Sequence, residues 1–219
     1  RQDMYASQSP SHLADPQIGT TRTDASDEFD PTHPLYQTIA GLSQLTKDNP
    51  ALRDGVQAER YAADGPGVYA FSRTDAKQQV EYVVAVNNAT TDQTVSIPTY
   101  SSGMTFDRIY PNAGPKPATG PDGKLAVDVP GLAAVVFKAE ARLAAPTAAP
   151  SVSVDAPAAG ATGLVSVGAT VPGGGLAKVA FAAQIGSGPW QTIGVADHAP
   201  YRVSQDLSKV AAGTPVRYK

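Results

Sequence analysis

Two hydrophobic periods divide this chain. Between residues 34 and 49 apolar side chains recur at helical spacing: Leu35, Ile39, Leu42 and Leu45 share one face of a helix. Pro34 falls in the first turn, where its missing N–H costs nothing, and Thr32 or His33 stands ready as a cap. Asp48, Asn49 and Pro50 predict the stop. Ahead of the helix, residues 9–33 are rich in Ser, Thr, Asp, His and Pro without periodicity, which predicts a long ordered loop. From about residue 56 the period becomes two. Strands are predicted at 56–62, 68–73, 80–87, 94–97, 105–110, 124–129 and 133–138, separated by turns such as D-G-P-G at 64–67, N-N-A-T at 87–90 and G-P-D-G at 120–123.

Seven short strands at this spacing argue for an antiparallel sandwich of Greek-key type. An Ala/Pro linker follows at 140–150. Beyond it, strands are predicted around Val152 and Val154 and at 164–171, 177–184, 190–193, 201–206 and 215–218, with G-G-G at 173–175 as a hairpin turn. Their order resembles an immunoglobulin-type sandwich, with no closing strand after Lys219. The expected fold is therefore mainly β: one helix, an antiparallel β-sandwich, and a truncated Ig-like β-sandwich. The expected units are residues 1–55, 56–139, the linker 140–150, and 151–219.

Composition narrows the function. Charged residues are 17% of the chain and the formal net charge is −3, with no basic block, so nucleic acid is excluded as a partner. No apolar run is long enough for a bilayer span. Without cysteine there is no disulfide, thiol catalysis or Cys-based zinc site. Twenty Gly and nineteen Pro fit a chain with many turns.

No catalytic constellation stands out. His12, His33 and His198 are scattered among loops and read as surface or capping residues. Asp24, Asp27, Glu28 and Asp30 crowd one loop, but no D-x-D-x-D-G order makes them a Ca²⁺ loop, and a solvated acidic loop is expected. Asn88-Ala89-Thr90 matches a glycosylation sequon at a β-turn. Glycoside chemistry needs two facing acids about 5–10 Å apart. The strand acids Glu59 and Glu81 alternate with apolar neighbours and are expected to face solvent. Tyr100, Tyr110, Trp190 and Tyr201 are the candidate exposed aromatics, with Trp190 and Tyr201 as a sugar-stacking platform against the plainer reading as core side chains.

R-Q-D-M-Y-A-S-Q at 1–8, the Asp-rich loop, and H-P-L-Y-Q-T-I-A-G-L-S-Q-L-T-K-D-N-P-A-L-R-D-G at 33–55 together resemble the end of the catalytic barrel in the α-amylase family of glycoside hydrolases, family 13. G-V-Y-A-F-S-R at 67–73 and V-V-A-V-N-N at 83–88 resemble the early strands of that family's C-terminal sandwich. The resemblance spans about residues 1–138 and implies a multidomain amylase- or pullulanase-type parent, a retaining α-glucan hydrolase whose catalytic carboxylates lie upstream. The chain itself would then be inactive, without a cofactor of its own, while Ca²⁺ belongs to the parent. Arg1 corresponds to a family arginine that contacts a sugar at a minus subsite. The implied partners are the remainder of the barrel and, through the parent, an α-glucan; the implied location is extracellular. A carbohydrate-binding module and a cell-surface stalk are the rival expectations.

Overall fold

The computed structural model describes residues 4–75, 77–145, 149–172 and 176–219. Arg1, the centre of the Ala/Pro linker and the G-G-G turn lie outside the described residues. The chain divides into two compact units, Arg1–Arg53 and Asp54–Lys219.

In the first unit the loop holds one 3-10 turn, Pro10–His12, and leads to helix α1, Pro34–Asp48. Pro50 interrupts the helical course, and a short second turn, α2 (Ala51–Asp54), restarts behind it. No side chain of α1 is buried: Leu35, Ile39 and Leu42 are exposed. Met4, Tyr5, Leu13, Ile18, Phe29 and Tyr36 in the same unit are exposed too.

The second unit starts with a sandwich. Its large sheet contains β1 (Val56–Ala62), β2 (Val68–Thr74), β3 (Glu81–Asn87), β5 (Phe106–Tyr110) and β7 (Ala134–Ala139), while β4 (Gln93–Pro98) pairs with β6 (Lys124–Val129). The large sheet runs β1-β2-β3-β7-β5, every pair antiparallel. The chain leaves it after β3, alternates between sheets, and returns so that β7 lies between β3 and β5. Alternation decides the core: Val68, Ala70, Val83, Ala85, Phe106, Val135 and Phe137 face Val95, Ile97, Leu125, Val127 and Val129. On the opposite face of the large sheet the Tyr69 and Phe71 rings lie 5.9 Å apart in a tilted arrangement, and Val86 is exposed.

Linker residues bond back onto the β2–β3 connection: Leu143 N–H donates to Gln79 O at 2.8 Å, and Arg142 Nη2 donates to Lys77 O at 3.3 Å. The remaining strands are β8 (Ser153–Asp155), β9 (Leu164–Thr170), β10 (Val179–Ile185), β11 (Gln191–Ala196), β12 (Tyr201–Asp206) and β13 (Val216–Tyr218). They form two three-stranded sheets, β12-β9-β8 and β11-β10-β13. Val167, Ala169, Phe181 and Tyr201 are their buried centre. The sheets approach closely at Gly194, where a Cβ would lie 2.7 Å from Val203 Cγ1, so only glycine fits beside that valine.

Candidate functional site

The acidic loop of the first unit is tied together mainly by backbone bonds. Ser7 N–H donates to Asp24 O at 2.7 Å, Asp24 N–H to Asp15 O at 2.9 Å, and Glu28 N–H to Met4 O at 2.9 Å. Arg22 spreads its guanidinium across the turn, donating to Ser26 Oγ at 3.2 Å, Asp30 Oδ2 at 3.3 Å and Asp27 O at 2.8 Å. His33 caps α1: its Nδ1 accepts the Leu35 N–H at 3.1 Å, and its Nε2 lies 2.6 Å from Ile18 O. A carbonyl only accepts, so the two bonds together require the neutral Nε2–H tautomer. The histidine thus joins loop and helix and serves as neither ligand nor base.

Asp27 and Asp30 are occupied in the same local way. Asp27 accepts the Phe29 N–H at 3.2 Å, and Asp24 is buried. Asp30 accepts the Thr32 N–H at 2.8 Å and the Thr32 hydroxyl at 2.6 Å, which, together with Arg22, hold its carboxyl below the usual 3.8. A carboxylate with a depressed pKa stabilises the fold above its unfolded value and loses that contribution as pH falls through the lowered one. Replacing Thr32 by valine should therefore move the Asp30 titration upward toward 3.8, checked by NMR of the side-chain carboxyl carbon; an unmoved titration would contradict the assignment. Among the described residues no group of three or more His, Asp or Glu side chains is placed to hold a metal ion.

The strand acids separate. Glu59 is exposed, as expected, whereas Glu81 is wholly buried, which corrects the expectation that it faces solvent. Its Oε1 accepts Arg60 Nη2 at 3.2 Å and the Ser72 hydroxyl at 2.5 Å; Oε2 accepts the Tyr100 N–H and the Ser101 hydroxyl, each at 2.9 Å. Arg60 also donates from Nε to Ser72 Oγ at 2.9 Å and lies 3.7 Å over the Tyr100 ring. Tyr100 is thereby engaged beneath a cation, and burial pushes its hydroxyl pKa up. The error has a physical origin. Both phases of E-Y-V-V-A-V-N carry apolar residues, so alternation alone leaves the buried phase open, and Glu81 shares the phase of Val83 and Ala85.

The aromatic pair also separates. Tyr201 is 6% exposed and packs with Val167, Ala169 and Phe181, so it is a core side chain and not half of a surface platform. The inward phase of β12 requires this, because Tyr201 and Val203 both turn toward the other sheet. Trp190, just before β11, is 39% exposed and has the Lys219 ammonium 4.5 Å from its ring centroid. Arg1 lies outside the described residues. Where carboxylates of the described residues meet, a cation stands between them: Lys116 Nζ lies 2.5 Å from Asp107 Oδ1 and 3.3 Å from Glu140 Oε1, and Arg22 reaches both Asp27 and Asp30.

No protein-family profile matches the chain. It is 53% identical over 220 residues to an alpha-amylase of Streptomyces lividans, a match covering 100% of this chain and 24% of that protein. A Beta/alpha-amylase of Paenibacillus polymyxa is 38% identical over 69 residues, covering 32% of this chain and 5% of that protein. Among solved structures, an Anoxybacillus alpha-amylase matches with 23% identity and a TM-score of 0.45, covering 56% of this chain and 26% of its own. The alpha-amylase of Geobacillus thermoleovorans complexed with acarbose matches with 20% identity and a TM-score of 0.43, covering 54% and 26%. The chain thus spans about a quarter of the length of the Streptomyces relative.

Proposed function

From its relationship to the α-amylase family of glycoside hydrolases, we propose that this chain is the non-catalytic C-terminal part of a secreted α-glucan hydrolase. In that reading its first unit closes the catalytic barrel, the first sandwich supports the barrel, and the second, Ig-like sandwich extends the enzyme. The parent hydrolyses α-glucosidic bonds with retention, one carboxylate attacking the anomeric carbon and a second protonating the leaving oxygen. Those carboxylates belong to the rest of the barrel, and this part is inactive by itself.

One observation carries the reading: the apolar stripe of α1 is bare. Leu35, Ile39 and Leu42 are 57%, 69% and 40% exposed on a helix whose periodicity is that of a buried face. Burying such side chains is worth about 1.5–3 kcal/mol each, so a barrel wall covering them gains several kcal/mol. The neutral His33 cap and the Arg22 fork hold helix and loop in one arrangement before any partner arrives. The 53% identity with part of an α-amylase supports the same partner.

A chimera tests this. The chain is exchanged for the matching segment of the Streptomyces lividans alpha-amylase, and starch hydrolysis and thermal inactivation are followed. The chimera should be active, while the chain alone should release no reducing sugar. Ile39→Asp in the chimera should lower its inactivation temperature by several degrees, as a charge replaces a buried methyl face. An inactive chimera, or one indifferent to Ile39→Asp, would overturn the proposal.

A further inference from the structure

One long side of the second sandwich is closed and the other is open. On the closed side β11 lies against β12, at Gly194 and Val203. On the other side each sheet ends in an edge strand, β8 in one and β13 in the other, and no described strand pairs with either outer edge. Lys219 N–H donates to Ala182 O at 2.9 Å and Gly186 N–H to Pro215 O at 2.8 Å, so by antiparallel alternation the backbone groups of Val216 and Tyr218 point away from β10. Between the two edges lies a cavity of about 460 Å³, lined by Tyr218 and by small side chains such as Ala156, Ala159, Ala211 and Ala212. Apolar surface is left uncovered here. Val154 stands opposite Ala169 of the buried centre and so takes the core phase of β8, yet it is 39% exposed, and Val152 in the same phase is 58% exposed. The other phase carries charge. Asp155 stands opposite Gly168 on the outer face and accepts the Thr170 hydroxyl at 3.1 Å, while Arg217 on β13 stands opposite Gln184. Among the described residues neither Asp155 nor Arg217 forms an ion pair.

We propose that this open side is a self-complementary interface, in which β8 of each copy pairs antiparallel with β13 of a second copy. A two-fold axis along the strands makes both contacts at once, so that β12-β9-β8 of one copy continues into β13-β10-β11 of the other. In the register that sets Asp155 opposite Arg217 of the second copy, Val154 falls opposite Tyr218 of the second copy. Charge then meets opposite charge on the outer face, and apolar meets apolar on the core face. The same charges oppose the other edge pairings. Two β13 strands side by side would set Arg217 and Lys219 against their own copies, and two β8 strands would do the same with Asp155. The occupant is a second copy because each edge already carries the phase and the charge that the other lacks. This interface does not depend on the hydrolase reading above.

Sedimentation of the full chain over a concentration series tests this. Every sample carries Ile39→Asp, which takes away the bare α1 stripe as a second route to association. A monomer–dimer equilibrium is expected. Asp155→Arg sets like charge against Arg217 and should weaken dimerisation about tenfold, and Arg217→Glu should do the same against Asp155. The two variants mixed should form a mixed dimer. Asp155→Arg and Arg217→Glu combined in one chain should restore the dimer, because opposite charges again meet across both strand pairs. Circular dichroism confirms that each variant folds, and the rescue separates a broken interface from a damaged sandwich. A chain that stays monomeric up to about 1 mM, a dimer indifferent to both reversals, or reversals that the combined variant does not rescue would overturn the interface.

Discussion

Replacing Glu81 by alanine should destabilise the first sandwich by about 3–5 kcal/mol, the usual cost of removing one partner from a buried ion pair. Its carboxylate is fully enclosed and joins β1 through Arg60, β2 through Ser72, and the segment after β4 through Tyr100 and Ser101. Alanine strands the Ser72 and Ser101 hydroxyls and the Tyr100 N–H, and leaves Arg60 with 13% of its side chain exposed and no counter-charge. The same logic says the pair is replaceable as a unit. Arg60→Met combined with Glu81→Met should recover part of the loss, because the stranded charge is gone. Urea unfolding followed by far-UV circular dichroism gives both values. A loss below about 1 kcal/mol for Glu81→Ala would mean that the network is ornamental.

Phe181→Ala is expected to cost a similar amount, about 3–5 kcal/mol, and to act in a different place. The second sandwich has a small core clustered on Val167, Ala169, Phe181 and Tyr201, with Val165, Ala183 and Leu207 also buried, so one missing ring removes a large share of it. Trp190 belongs to that sandwich and makes its unfolding visible by fluorescence. Phe181→Ala should lower the urea midpoint seen by tryptophan emission more than that seen by circular dichroism, which also reports the first sandwich. Equal shifts in both signals would instead show the two cores melting as one unit.

Much of this architecture was legible beforehand. The strands at 56–62, 124–129 and 201–206 form where alternation and turn residues predict them, and the helix starts at Pro34 and ends before Pro50. Those features depend on local chemistry: a period, a proline, a cap. The resemblance to the α-amylase family was legible in the same way, because R-Q-D-M-Y and N-P-A-L-R are contiguous strings. The burial of Glu81 escaped the sequence, and Tyr201 stayed open between platform and core, for one shared reason. A strand with apolar residues in both phases, or an aromatic at a strand end, does not declare which side will be covered. The Arg60–Glu81 contact joins residues from different strands and had no signal along the chain.

By itself, the sequence determined the elements, their order, and the mismatch between an apolar helix face and the residues available to cover it. Only the tertiary structure decided which strand phase turns inward, and with it the burial of Glu81 and Tyr201 and the exposure of Trp190. The reason is that secondary structure answers to neighbours a few residues away, whereas burial is settled by which sheet another sheet lands on. A carboxylate enters a core only when an arginine, two hydroxyls and a backbone N–H from distant segments meet it there.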